Sequence, residues 1–208
     1  MEVSRTRGPF SSLRDFVVEV ATVVLGVIIA LSFQGLREWN RDRTLANEAR
    51  STIVRELTDN HKAVDSDLQA GPRRKEQLAA AVTFADELIR TGKTAVQSLD
   101  LAINFGELST AGWQTAEHTG ALAHMSYVEV QKYAAAYALQ DLYRAQQLRT
   151  LEDVGAALAI LGHGDPVTAP REDLERLRTS LLTLTADLFI ERQLGTQLSE
   201  RFAKTLKD

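Results

Sequence analysis

The sequence predicts an all-α protein: one N-terminal transmembrane helix continuing into an antiparallel bundle of about four long helices. Three observations carry this. Residues 16–36 form an apolar run of bilayer-spanning length; beyond it, apolar residues recur at steps of three and four between clear turn signals; and no stretch alternates apolar and polar with the period of a strand.

The run FVVEVATVVLGVIIALSF, extended through Leu36, is interrupted only by Glu19, Thr22 and Ser32 before the stretch that closes it. About 21 residues give about 31 Å of helix, which matches a hydrocarbon core of about 30 Å. Backbone groups in lipid must be satisfied within the segment, so a helix is required. Two other readings compete. The run could be a buried core helix, or a signal peptide cleaved at Ala30-Leu31-Ser32, whose small residues have the spacing a signal peptidase prefers. Arg5, Arg7 and Arg14 precede the span, and Arg37, Arg41 and Arg43 follow it, a tie under the positive-inside rule. A short basic tail (1–15) before a first apolar helix usually stays in the cytoplasm. The expected location is therefore a bacterial inner membrane crossed once, with the bulk of the chain on the periplasmic side. Glu19, one turn inside the edge, reads as an interfacial acid near Arg14, and Gly26 with Ala30 as a small-residue pair that permits close helix approach.

From Leu36 to Leu68 apolar residues continue at helical spacing, with Trp39 placed as an interfacial anchor, so the span is expected to run on as one rod over 37–70. Gly71-Pro72 is expected to end it, and a second helix fits 73–91, closed by Gly92. Residues 93–108 are irregular, and 99–105 fit an extended piece or a turn of helix equally. A short helix over 109–119, capped by Ser109 or Thr110, carries Trp113 and Ala116, and Gly120 closes it. Ser126 and Glu129 have the spacing of a capping box opening a helix over 127–161. Its first half is apolar almost all round, which predicts a place in the middle of the bundle. After the turn GlyHisGlyAspPro (162–166), a last helix over 169–206 bears a coiled-coil-like seam from Leu174 to Leu188. The seam is interrupted at Glu191 and Gly195 and resumes at Leu198. The bundle domain is thus 37–208.

The 208 residues suffice for one domain of ordinary size. A formal charge of −4 argues against nucleic acid as a partner, because phosphate affinity comes from excess Lys and Arg. With no cysteine, thiolate metal sites and cysteine nucleophiles are excluded. No phosphate loop, dinucleotide fingerprint, zincin motif or nucleophile elbow is present, and no glutamate is followed three residues later by histidine as a di-iron bundle requires. No catalytic residue and no cofactor is therefore assigned. The weak candidates for a metal are Glu117, His118 and His124 around the TGALA turn, with Glu107 and Trp113 nearby. His61 and His163 read as surface or loop residues. Asp141 reads as a structural carboxylate paired with Arg144, and Tyr133 and Tyr137 as core aromatics.

The E-x6-GVIIAL span, with Gln34, Trp39 and a charged helix ending in RELTDN (55–60), resembles a group of bacterial single-pass membrane proteins of the DUF6090-like kind. The segment Gly112-Trp113-Gln-Thr-Ala116 to Thr119-Gly120-Ala-Leu is similar to that group's W-x-x-A-x-x-[ST]-G-A-L stretch. The resemblance implies a membrane-anchored helical architecture and no activity. The functional expectation is a membrane-anchored helical interaction, sensory or scaffold module, self-associating through its helices and meeting a protein partner of unspecified kind. The alternatives are a metal-dependent protein or enzyme at Glu117, His118 and His124, and an exported soluble bundle after cleavage.

Overall fold

A computed structural model describes residues 13–95, 101–162 and 166–207. The basic tail before residue 13, residues 96–100 of the irregular stretch and residues 163–165 of the expected turn, His163 included, lie outside the described residues. The chain is all-helical, with α1 over Leu13–Thr91, α2 over Ala111–His118, α3 over Tyr127–Leu161 and α4 over Arg171–Lys207. Short 3-10 turns fill Ala121–His124 and Pro166–Thr168. No strand occurs among the described residues. The chain divides into two compact units, Met1–Glu48 and Ala49–Asp208.

In the first unit, α1 carries one stretch long and apolar enough to cross a membrane, and none of that stretch is buried. Its two hydroxyls are satisfied locally: Thr22 donates to the Val18 carbonyl at 2.8 Å and Ser32 to the Ile28 carbonyl at 2.7 Å. This back-bonding to the preceding turn is how a hydroxyl is carried on an apolar helix. A Cβ on Gly26 would meet nothing within 4 Å, so the face it shares with Ala30 is open. The Arg43 guanidinium lies 5.3 Å from the Trp39 ring centroid, a cation–π contact.

The expected break at Gly71-Pro72 does not occur. α1 passes through Pro72 without ending. A proline inside a helix costs about 3 kcal/mol through its missing N–H and its clash with the preceding turn. Packing outweighs that cost here, because the buried seam continues on both sides of it. In the second unit, the residues of α1 that are buried include Ile53, Leu57, Asn60, Val64, Asp67, Arg74, Leu78, Ala81, Ala85 and Leu88. With position 71 filling the gap, these step alternately by four and three. α3 repeats the pattern at Ala136, Gln140, Tyr143, Gln147, Thr150, Val154 and Ala157, and α4 at Leu174, Leu177, Leu181, Leu184 and, further on, Glu191, Gly195, Leu198, Phe202 and Thr205. A 3.5-residue repeat keeps one stripe of each helix facing the others, the geometry of left-handed supercoiling.

Side-chain pairs fix the directions. Arg50 with Glu129, Asn60 with Gln140 and Asp67 with Gln147 rise together along α1 and α3. His61 with Ser199, Arg74 with Glu191 and Asp86 with Arg178 run oppositely along α1 and α4. Two helices of like direction in sequence order require a return path, and residues 101–110 form its described part. It descends beside α1 on side-chain rungs. Arg74 donates to the Asn104 carbonyl at 2.5 Å, Asp67 accepts from the Gly106 amide at 3.1 Å, Asn60 exchanges bonds with the Ser109 backbone at 2.7 and 2.9 Å, and Glu56 accepts from the Gly112 amide at 2.8 Å. Gly106 is required by proximity: a Cβ there would sit 3.0 Å from the Ala63 Cβ.

α3 is not the central helix its apolar first half predicts. It buries one stripe and leaves Val128, Leu142, Leu148, Leu151 and Leu158 exposed, Leu142 by 60% and Leu148 by 62%. Its long neighbours in the second unit are the α1 segment and α4, so each long helix keeps an outer face. The capping box is half-formed. Ser126 accepts from the Glu129 amide at 3.2 Å, but the Glu129 carboxylate turns to Arg50 and Tyr133 instead of back to the cap.

Candidate functional site

The seam changes character midway. Apolar side chains fill both ends, whereas Asn60, Asp67, Arg74, Gln140, Gln147, Asp187 and Glu191 occupy its middle. Burying a charge is costly unless it is paired, so each needs a stated partner.

α1 supplies Asp67 and Arg74, two turns apart and therefore on one face. Arg74 Nη2 lies 3.2 Å from Asp67 Oδ1, and Arg74 Nη1 lies 3.6 Å from Glu191 Oε1 on α4. α3 adds Tyr143, whose hydroxyl lies 3.4 Å from Asp67 Oδ2 and 3.5 Å from Glu191 Oε1, and Gln147, which donates to Asp67 Oδ2 at 3.2 Å. The guanidinium also covers the Phe105 ring at 4.9 Å. Two carboxylates thus share one guanidinium. Asp67 is fully engaged, but Glu191 Oε2 is buried without a hydrogen-bond partner. Burial, with the Asp67 charge added, pushes the Glu191 carboxyl up to about 7, against the opposing pull of Arg74 and Tyr143. Burial and the charges of Glu191 and Asp67 push the Tyr143 hydroxyl upward too, so it stays protonated.

Beside this cluster lies a cleft of about 390 Å³ between α1 and α4, lined by Asp67, Leu68, Gly71, Arg74, Leu78, Leu188, Phe189 and Glu191 among others. Its origin is legible in the repeat. Position 71 is a seam position, and glycine supplies no side chain to fill it. A Cβ on Gly71 would meet nothing within 4 Å.

Two neighbouring clusters are structural. Burial raises the Glu56 carboxylate, but hydrogen bonds from the Gly112 amide, Tyr137, Ser109 and the Trp113 amide outweigh it and hold the group below its usual range. Glu56 thereby caps α2 from another helix, and Thr110, at the cap position, makes no side-chain bond there. Trp113 packs on Tyr137 with ring centroids 5.2 Å apart. Between α3 and α4, Asp187 accepts from Gln146 at 3.2 Å and lies 3.7 Å from Arg149. A hydrogen bond with Asp187 pushes the Asp153 carboxyl upward, with burial and the Asp187 charge adding to it.

The residues singled out by sequence fall elsewhere. Glu107, Glu117, His118 and His124 are exposed, and the His118 Nδ1 is 2.6 Å from the Gln114 carbonyl of its own helix. No group of three or more His, Asp or Glu among the described residues is placed to hold a metal ion, so Glu117, His118 and His124 are not assembled into one. Asp141 and Arg144 are both exposed on the outer side of α3 and form no ion pair with each other; the buried polar residues of that helix are Gln140, Gln147 and Thr150. Gly120, at φ 74°, adopts the left-handed turn that closes α2. Sequence reasoning missed Asp67, Arg74 and the Gln residues and read Glu191 only as an interruption. The signal available was polar residues at seam positions of three different helices.

No protein-family model, no curated protein and no solved structure matches this chain.

Proposed function

We propose that the chain is a single-pass membrane protein whose second unit is a helical interaction or sensory module without catalytic machinery, an anchored bundle in which α4 runs antiparallel to α1 and α3. The observation that carries this reading is the apolar stretch over 16–36, helical throughout and with every side chain exposed. A core helix of a soluble protein would be covered by its own chain. An uncovered apolar helix of this length needs lipid, since exposed apolar patches on soluble monomers are far smaller. The tie of basic residues leaves the short tail in the cytoplasm as the favoured orientation, with the bundle outside. The open Gly26 and Ala30 face and the outer apolar positions of α3 support self-association.

Fractionation of cells producing the full chain tests it. The expected result is recovery in the membrane pellet, resistance to alkaline carbonate and release by detergent. Recovery in the soluble fraction with a mature N-terminus at Phe33 identifies a cleaved exported protein instead and overturns the anchor. Removal of residues 1–36 is expected to leave a soluble, helical, cooperatively melting fragment.

A further inference from the structure

We infer that the cleft between α1 and α4 is a binding site for a small organic monocation, an ammonium head on an apolar body, with Glu191 as its counter-ion. The inference does not depend on the membrane anchor.

The argument begins with the missing side chain. Along α1 the seam positions on either side of 71 are Asp67, Arg74 and Leu78, all buried, and only glycine interrupts them. A core of this repeat ordinarily fills each such position with a knob, and an unfilled one forfeits packing energy that increases with cavity volume. Pro72 adds to the cost. It withdraws the N–H that would bond the Leu68 carbonyl, one turn before it in the same helix. Gly71 and Pro72 are poor choices for helix stability, and the glycine leaves space beside Asp67 and Glu191.

The chemistry of the wall selects the occupant. Leu68, Leu78, Leu188 and Phe189 supply an apolar lining, and Phe189 is 63% exposed, so it stands at the mouth. The inner side is Glu191, 4% exposed, with Oε2 lacking any hydrogen-bond donor. A buried acceptor without a donor is destabilising, more so when charged. Arg74 does not supply that donor: its guanidinium is directed at Asp67, Glu191 Oε1 and the Asn104 carbonyl, and none of its N–H groups reaches Oε2. With Glu191 ionised, the cluster therefore lacks one positive charge and one donor. An ammonium supplies both, and the soft terminal torsion of a glutamate lets the free oxygen turn to meet it. Lys75 and Arg192 also line the cleft, but both are exposed, where solvent and salt screen them; the water-excluded inner wall decides the sign. An anion would place its charge against Glu191 and Asp67, and a neutral alcohol would supply the donor without the charge.

The test uses the full chain in non-ionic detergent and three probes of nearly one shape: 2-phenylethylammonium, 2-phenylethanol and 3-phenylpropionate. Binding is followed by calorimetry and by the shift in thermal unfolding. The ammonium is expected to bind saturably at millimolar concentration or below, at least about tenfold more tightly than either analogue. Gly71→Leu, which fills the cleft without touching a charge, and Glu191→Gln, which removes the counter-ion, are each expected to abolish the difference while circular dichroism shows the helical fold retained. Gly71→Ala, which adds one methyl to open space, serves as the second cleft variant should Leu prevent folding, and is expected to weaken binding. Equal binding of the alcohol, retention of binding in both Gly71→Leu and Glu191→Gln, or no saturable ammonium binding overturns the assignment.

Discussion

Replacing Glu191 by glutamine gives the most direct measure of what the polar centre of the bundle costs. The carboxyl moves from an ordinary value of 4.5 to about 7 in the folded chain, chiefly because burial disfavours its charge. A raised value means the folded state binds the proton more tightly than the unfolded one. The contribution is fully present below about pH 4.5 and is lost as pH rises through about 7. At about 1.4 kcal/mol per unit, the loss amounts to about 3 kcal/mol above neutrality. The groups facing the carboxyl are Asp67 and Arg74 from α1 and Tyr143 from α3. Glutamine keeps the size and an acceptor for Tyr143, cannot ionise, and leaves Arg74 paired to Asp67 at 3.2 Å. Replacing one member of a buried ion cluster usually destabilises because it strands a charge, but here the stranded charge is the one removed. Urea unfolding of the full chain in detergent, followed by circular dichroism between about pH 5 and pH 8.5, should show the wild type losing stability as pH rises. The Glu191→Gln chain should be flatter and more stable at the alkaline end by up to about 3 kcal/mol. A variant less stable at every pH, with the wild-type slope unchanged, would refute the reasoning and make Glu191 a net stabilising partner of Arg74.

Other outcomes follow from the same geometry. Gly106→Val should destabilise by about 1–3 kcal/mol, because its side chain must enter space held by Ala63, and chemical denaturation would measure it. Glu56→Gln should flatten the acid limb of the stability profile: a depressed carboxyl contributes above its ordinary value and loses that contribution as pH falls through the folded one. Trp113 fluorescence should report the loosened α2. Leu181→Ala, in the apolar end of the core, should cost about 2–5 kcal/mol, whereas Leu148→Gln on the outer face of α3 should change stability by less than about 0.5 kcal/mol. A large loss at Leu148 would restore α3 to the centre of an assembly, and a change in oligomeric state measured by light scattering would say whose.

Much of the local architecture was legible in the residues. Gly92 and Gly120 end helices by taking left-handed backbone, Ser126 starts one with its hydroxyl, and the leucine spacing of α4 marks its buried stripe, because each depends only on near neighbours. The length and apolarity of 16–36 are equally local properties. What the sequence did not disclose was decided by partners far along the chain. Pro72 remains helical because the seam around it is held by α3 and α4. α3 acquires an outer face because the helices packed beside it cover only one stripe. Asp141 and Arg144 stay in solvent while Gln140 and Gln147 meet Asn60 and Asp67 eighty residues away. The polar centre itself exists only in three dimensions: Asp67, Arg74, Tyr143 and Glu191 look unremarkable apart, and it is burial against one another that withdraws water, raises the Glu191 carboxyl and leaves its Oε2 unserved.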